Sequence, residues 1–210
     1  MHGVEDLLKR VAHSLSCQKI PYMIIGGQAV LFYGFPRLTR DIDITLGIDT
    51  DAIEALFSLI AKMGLRLLPE KAKHFALETK VLPTEDRLSK FRVDFIFSNT
   101  PYERQAIRRA KRVRVKGSLV RFASLEDLII HKMFAGRAVD LEDVKVLLIQ
   151  NHGKINLRYI RRWLREFAKL PGKENYVAVF DRIFKRALQF RSALTAVERK
   201  HGKTLKALAE

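Results

Sequence analysis

Two short stretches decide how this chain is read: Tyr22-Met23-Ile24-Ile25-Gly26-Gly27 and, beyond the breakers Gly34 and Pro36, Arg40-Asp41-Ile42-Asp43-Ile44. The first is an apolar run that predicts a short buried strand. Its glycine pair then opens a short helix reaching about Phe32. The second alternates acid with aliphatic through Leu46, which is strand periodicity. Residues two apart on a strand share a face, so Asp41 and Asp43 point one way while Ile42 and Ile44 point into the core. Two carboxylates side by side repel, and a hard divalent cation such as Mg²⁺ offsets that repulsion through their oxygens.

A third acid stands in Phe91-Arg92-Val93-Asp94-Phe95-Ile96-Phe97, a predicted strand in which a charge between Val93 and Phe95 is out of place unless it has a task. If that strand lies beside Asp41–Leu46, three carboxylates converge. That set suits a two-metal clamp, with Asp94 also placed as a general base. Glycines between a strand and a helix let backbone amides approach a phosphate, which makes Gly26 and Gly27 candidates for anion contact. Singly, each piece has a plain structural explanation: a turn at Gly26-Gly27, an exposed edge at Asp41 and Asp43, an ion pair between Asp94 and Arg92.

Outward from this centre, Val4, Leu7, Leu8, Val11 and Leu15 recur at helical spacing. A helix is expected from about Ala52 to Met63, capped by Asp49, Thr50 and Asp51, and strands at 65–68 and 75–81, with 83–90 as a loop. Pro101 starts a helix, Lys116-Gly117 turns a hairpin between 113–115 and 119–122, and Ser124 with Asp127 forms a capping box for a helix to Ala135. Leu157, Ile160, Leu164 and Phe167 mark a basic amphipathic helix near the start of a helical C-terminal region.

The 210 residues, 48% hydrophobic and 30% charged, suffice for one or two domains with a sizeable core, which excludes a disordered tail or a miniprotein. The 39 Lys and Arg against 23 Asp and Glu leave a net charge of +16, a sign of an anionic partner. The excess is localised: residues 101–123 hold 8 basic and 1 acidic residue, and residues 151–210 hold 15 basic and 5 acidic. The run Arg108-Arg109-Ala110-Lys111-Arg112-Val113-Arg114-Val115-Lys116 is the sharpest part of it, as expected for a phosphate-tracking surface, a solvated face being the plain alternative. The lone Cys17 closes no intramolecular disulfide, no signal peptide opens the chain, and no apolar span is long enough for a membrane, so a cytoplasmic protein is expected.

Taken together, Ile25-Gly26-Gly27, Asp41-Ile42-Asp43 and Val93-Asp94-Phe95 resemble the nucleotidyltransferase superfamily with the polymerase-β-like fold. The longer stretch Arg37-Leu38-Thr39-Arg40-Asp41-Ile42-Asp43, with Leu125-Glu126-Asp127-Leu128 through Lys132, Arg137, Asp140 and Asp143, is similar to the branch containing AbiEii-type toxin nucleotidyltransferases. The resemblance covers about residues 20–150. It implies a mixed α+β fold, with a nucleotidyltransferase-like mixed sheet and flanking helices over 1–123 and a basic helical region over 124–210. It also implies Mg²⁺-dependent, or Mn²⁺-dependent, transfer of a nucleoside monophosphate from a nucleoside triphosphate such as ATP to a hydroxyl.

By the same resemblance Asp41, Asp43 and Asp94 are catalytic metal ligands. Gly26, Gly27, Arg37, Thr39, Lys132 and Arg137 are the nucleotide contacts. Gly27 departs from the serine common in this turn, which removes a hydroxyl able to bind phosphate. Lys132, Arg137 and Asp140 also admit a reading as surface ion pairs of a helix. The acceptor expected from the charge is RNA or a tRNA end, and the AbiEii likeness adds a toxin role with an antitoxin partner. A small-molecule nucleotidyltransferase of the antibiotic-modifying kind is the enzymatic alternative. A non-catalytic nucleic-acid-binding protein that keeps the fold is the other. Gly202-Lys203-Thr204 resembles the end of a P-loop, but Val197 stands where its first glycine belongs. The six histidines show no zinc-like pairing.

Overall fold

In the computed structural model, which describes residues 3–36, 38–98 and 100–207, β1 (Tyr22–Ile25) is buried along its whole length. β2 (Asp41–Leu46) runs antiparallel to it, and β5 (Arg92–Phe97) runs parallel to β2. The register sets Ile24 opposite Ile44 and Ile44 opposite Phe95, and Leu82 of β4 (Val81–Asp86) opposite Phe95. These four side chains are at most 1% exposed and form one row of the core. Each contributes about 1.5–3 kcal/mol by leaving water. α1 (Val4–Cys17) buries Leu7, Leu8, Val11 and Leu15 of the stripe that its spacing predicts, together with Ala12, and leaves Val4 half-buried.

β3 (Leu65–Leu67) and β4 extend the sheet on one side of β5. β7 (Ser118–Phe122) and β6 (Lys111–Val115) extend it beyond β1, so the strand order is β3-β4-β5-β2-β1-β7-β6. β1 lies antiparallel to β2 and parallel to β7, which makes the sheet mixed. The β6–β7 hairpin turns at Lys116 and Gly117, both at positive φ (45° and 81°), the two-residue turn that matches strand twist. α2 (Gly26–Phe32), α3 (Ile53–Lys62) and α5 (Pro101–Arg109) follow the expected starts, with Thr100 capping α5 through a bond from the Glu103 N–H (3.3 Å).

One segment departs from the sequence reading. The sequence predicts a strand over 75–81 and a loop over 83–90, yet α4 occupies Ala72–Thr79 and β4 occupies Val81–Asp86. The alternation of Phe75, Leu77 and Thr79 imitates a strand. The helix instead buries Ala72 and Ala76, one turn apart, and leaves Phe75 and Leu77 exposed. β4 reads as loop because it carries Pro83, Glu85 and Asp86. Its buried polar groups are satisfied by tertiary bonds, Thr84 donating to the Val93 carbonyl at 2.7 Å.

The chain divides into two compact units, Met1–Leu128 and Ile129–Glu210, the division falling inside α6 (Leu125–Ala135). The second unit holds the end of α6 with α7 (Ala138–Gln150), α8 (Leu157–Phe167) and α9 (Tyr176–Ala207), around buried Val144, Leu147, Ile160, Leu164 and Phe180. No helix among the described residues is long and apolar enough to cross a membrane.

Candidate active site

The parallel pairing of β2 with β5 sets Asp43 directly opposite Asp94 and Asp41 directly opposite Arg92. Neighbouring strands are about 4.8 Å apart, and paired residues share a face. The three acids therefore stand in one row and the next on the same side of the sheet, each half-buried. Ile42, Ile44, Val93 and Phe95, fully buried on the opposite face, lock this orientation, because a one-residue slip would put the carboxylates into the core.

A guanidinium lies among the acids. Arg92 Nε is 2.8 Å from Asp94 Oδ1, as expected for residues two apart on one strand. The hydrogen bond to Asp94 raises the Arg92 pKa above its ordinary value; burial opposes this, and the charges of Asp94, Asp41 and Asp43 add to it. The same arginine thus senses all three carboxylates. Asp41 Oδ1 accepts a bond from the Thr39 hydroxyl at 2.5 Å. Among the described residues no three acid, His or Cys side chains already stand gathered around a vacant ion position. Two of the expected ligands are instead engaged by Arg92 and Thr39.

The glycine turn abuts this row. Ile25 pairs with Asp43, and Gly26 follows it at φ +64°, a conformation that side chains rarely adopt. A Cβ on Gly26 would overlap Asp43 Oδ2. A Cβ on Gly27 would lie 2.5 Å from Thr39 Oγ1 and 2.8 Å from Thr39 Cβ. The absence of serine at 27 therefore has a local cause: the Thr39 side chain fills that space with a hydroxyl of its own. Gln28 reaches back to the Asp41 carbonyl at 3.4 Å.

Of the expected site residues, Asp41, Asp43, Asp94, Gly26, Gly27 and Thr39 are thus neighbours, and Arg37 lies outside the described residues. Lys132 and Arg137 belong to the second unit, where they meet Asp140 and Asp143. Lys132 Nζ sits 2.7 Å from Asp140 and 2.8 Å from Asp143 with its side chain 6% exposed, a buried cluster rather than the surface pairing of a helix. Arg137 Nε bonds the other Asp140 oxygen at 2.6 Å. The links of Arg92 to Asp41 and Asp43, and of Thr39 to Gly27, escaped the sequence reading. Only the two-residue spacing of Arg92 and Asp94 hinted at the first.

The donor chemistry fits a hard divalent cation: oxygen ligands only, on two adjacent strands, beside backbone bare of side chains. No curated protein matches the chain in sequence. Among solved structures, the crystal structure of ANT(2″)-Ia in complex with adenylyl-2″-tobramycin has a similar fold, with TM-score 0.51, 15% identity, and 87% of this chain and 97% of that one covered. So has an antigenic nucleotidyltransferase-like protein from Paracoccidioides brasiliensis, with TM-score 0.50, 17% identity, and 83% and 92% covered. At such identities the likeness is one of fold. Nothing in these matches assigns the chain to the AbiEii-type branch. Residues 4–179 match the family described as nucleotidyltransferase of unknown function (DUF6036), and since that stretch spans most of its length, the chain belongs to this nucleotidyltransferase family.

Proposed function

We propose that the protein transfers a nucleoside monophosphate from a nucleoside triphosphate to a hydroxyl acceptor, using Mg²⁺ or Mn²⁺ held by Asp41, Asp43 and Asp94. The observation that carries this reading is the strand register that sets Asp43 against Asp94, with the Gly26 backbone packed on Asp43. Such a metal, when bound, supplies positive charge to the phosphate oxygens and to the departing pyrophosphate.

In the proposed reaction the acceptor oxygen bonds to the α-phosphorus while the bond from that phosphorus to the bridging oxygen of pyrophosphate breaks. Asp94 takes the acceptor proton, a role open to a carboxylate that is 15% exposed once Arg92 releases it. Gly26 and Gly27 leave backbone room for the triphosphate, and the Thr39 hydroxyl, on giving up its bond to Asp41 Oδ1, is free to donate to a phosphate oxygen. Lys132, with its ammonium between two buried carboxylates, is assigned to the scaffold of its own unit rather than to the nucleotide.

The acceptor we favour is an RNA hydroxyl, on the ground of the localised basic excess. The test is label transfer from each α-labelled nucleoside triphosphate, with Mg²⁺ or Mn²⁺, to total RNA or to aminoglycosides. Asp41→Asn and Asp94→Asn should keep a wild-type melt and lose at least about 10²-fold in transfer. Transfer that survives in both variants, or is absent from the wild type with every donor and acceptor, would overturn the reading. A product on the aminoglycosides alone would move the acceptor to a small molecule.

A further inference from the structure

The β6–β7 hairpin carries a charge arrangement that its own packing does not explain. Its register places Arg112 directly opposite Arg121 and Arg114 opposite Leu119, so three guanidinium groups share one face of an edge hairpin. Like charges directly across a ladder destabilise it. None of the three arginines has a carboxylate at ion-pair distance among the described residues, whereas Lys116 at the hairpin tip does, pairing with Asp6 at 2.7 Å. That pair ties the tip to α1. Beside it, Arg112, Arg114, Arg121 and Ser118 join His13 and Ser16 of α1 around a cavity of about 430 Å³ that no Asp or Glu lines.

We propose that this cavity binds the phosphodiester backbone of a polynucleotide strand, and so forms the acceptor-holding surface of the nucleotidyltransferase, an inference that rests on the transfer reading above. The chemistry selects the ligand class. Guanidinium groups bind phosphate oxygens through paired N–H donors, and a row of them without counter-charges is neutralised only by an external anion. Arg112 and Arg114, two apart on one strand, are about 6.6 Å apart along it. This is close to the step between successive phosphates of an extended strand. A single inorganic anion would engage one end of the row; a strand engages its length.

The test is fluorescence anisotropy of a labelled 20-mer RNA, with a DNA 20-mer and inorganic triphosphate as further arms, in EDTA and over a range of KCl. The Arg112→Glu/Arg121→Glu variant should lose at least about ten-fold in RNA affinity near 0.1 M salt, and the slope of log affinity against log salt should fall by about 2. The control Lys62→Glu/Lys71→Glu carries the same charge change on exposed residues of the same unit and should move affinity by less than about three-fold. Arg112→Glu alone sets a carboxylate opposite Arg121, so its Tm should not fall while its RNA affinity does, a split that a structural arginine would not give.

Equal losses in the double variant and the control would overturn the proposal. So would a loss confined to inorganic triphosphate. A weaker DNA response than RNA response would identify RNA as the strand, and an equal one would leave the backbone as the feature read. Because nucleotide and metal are absent, failure here leaves the transfer reading intact. Loss of that reading would show as unaltered Mn²⁺–nucleotide binding in Asp41→Asn.

Discussion

Arg92 projects its guanidinium from the strand face that carries Asp94, and three carboxylates raise its pKa. Its removal leaves their mutual repulsion uncompensated. With its side chain 53% exposed, the pair is worth only about 0.2–1 kcal/mol. Arg92→Ala should therefore lower the Tm modestly in EDTA, and Mn²⁺ should restore it by more than it stabilises the wild type, since the ion no longer competes with a resident cation. An equal Mn²⁺ response in both proteins would separate Arg92 from the metal ligands. The Gly27–Thr39 contact makes a second test of single residues. Gly27→Ser pushes a Cβ against Thr39 and should cost about 1–3 kcal/mol. Thr39→Gly removes both crowding atoms, Oγ1 and Cβ, so the double variant should recover part of that loss. A double-mutant cycle in urea measures the coupling, which is absent if the two side chains do not compete for one space.

At the scale of elements, the strand–turn–helix–strand from Tyr22 to Leu46 and the strand around Asp94 were legible in the sequence, β1 as a short apolar run ahead of a glycine turn, and β2 and β5 because their polar and apolar faces alternate at the strand period. They form the centre of the sheet, where both neighbours enforce that period. The segment from Ala72 to Asp86 was not legible, because α4 buries only alanines and β4 is held by bonds to residues distant in sequence. Asp86 is the clearest case. It reads as a loop acid, yet it is 1% exposed and accepts from the Ser89 N–H at 2.9 Å and the Ser89 hydroxyl at 2.6 Å, and it pairs with Arg10 of α1. Burial pushes its pKa up, but the bonds from Ser89 and the charge of Arg10 outweigh burial and hold it below the ordinary carboxylate value. A folded pKa below the unfolded one, about 3.9, means that the contribution is fully present above pH ~4–5 and is lost as pH falls through the folded value. Asp86→Ala should cost about 1–3 kcal/mol at pH 7 and less at pH ~3, below the unfolded value, where the carboxylate's contribution is already falling. Denaturant titrations of both proteins at the two pH values check this, and a cost independent of pH would contradict it.

At the scale of the molecule, the two compact units each have their own core and their own buried ions, and the expected site residues are divided between them. The sequence presents Lys132 as one more cation near the acids, because a spacing of eight residues to Asp140 reveals nothing about a helix-to-helix ion cluster. In the structure Asp140 is fully buried, and although burial alone would raise its pKa, the bonds from Arg137 and Lys132 prevail and lower it. Removing the ammonium from such a cluster leaves carboxylates buried and uncompensated, at a cost of about 3–5 kcal/mol. Lys132→Met should therefore destabilise the second unit selectively. By hydrogen exchange, peptides from α7, α8 and α9 should lose protection, while those of β1, β2 and β5 keep it. Melting should broaden as the transition ceases to be two-state. The triple change Lys132→Met/Asp140→Asn/Asp143→Asn removes the uncompensated charges along with the lysine and should recover part of the loss, as replacement of a whole buried ion cluster is far milder than removal of one member. Nucleotide binding in the first unit is expected to survive in the triple variant. If protection instead persists everywhere in Lys132→Met while nucleotide affinity disappears, the lysine belongs with the phosphate-binding groups, and the division of labour between the two units must be redrawn around it.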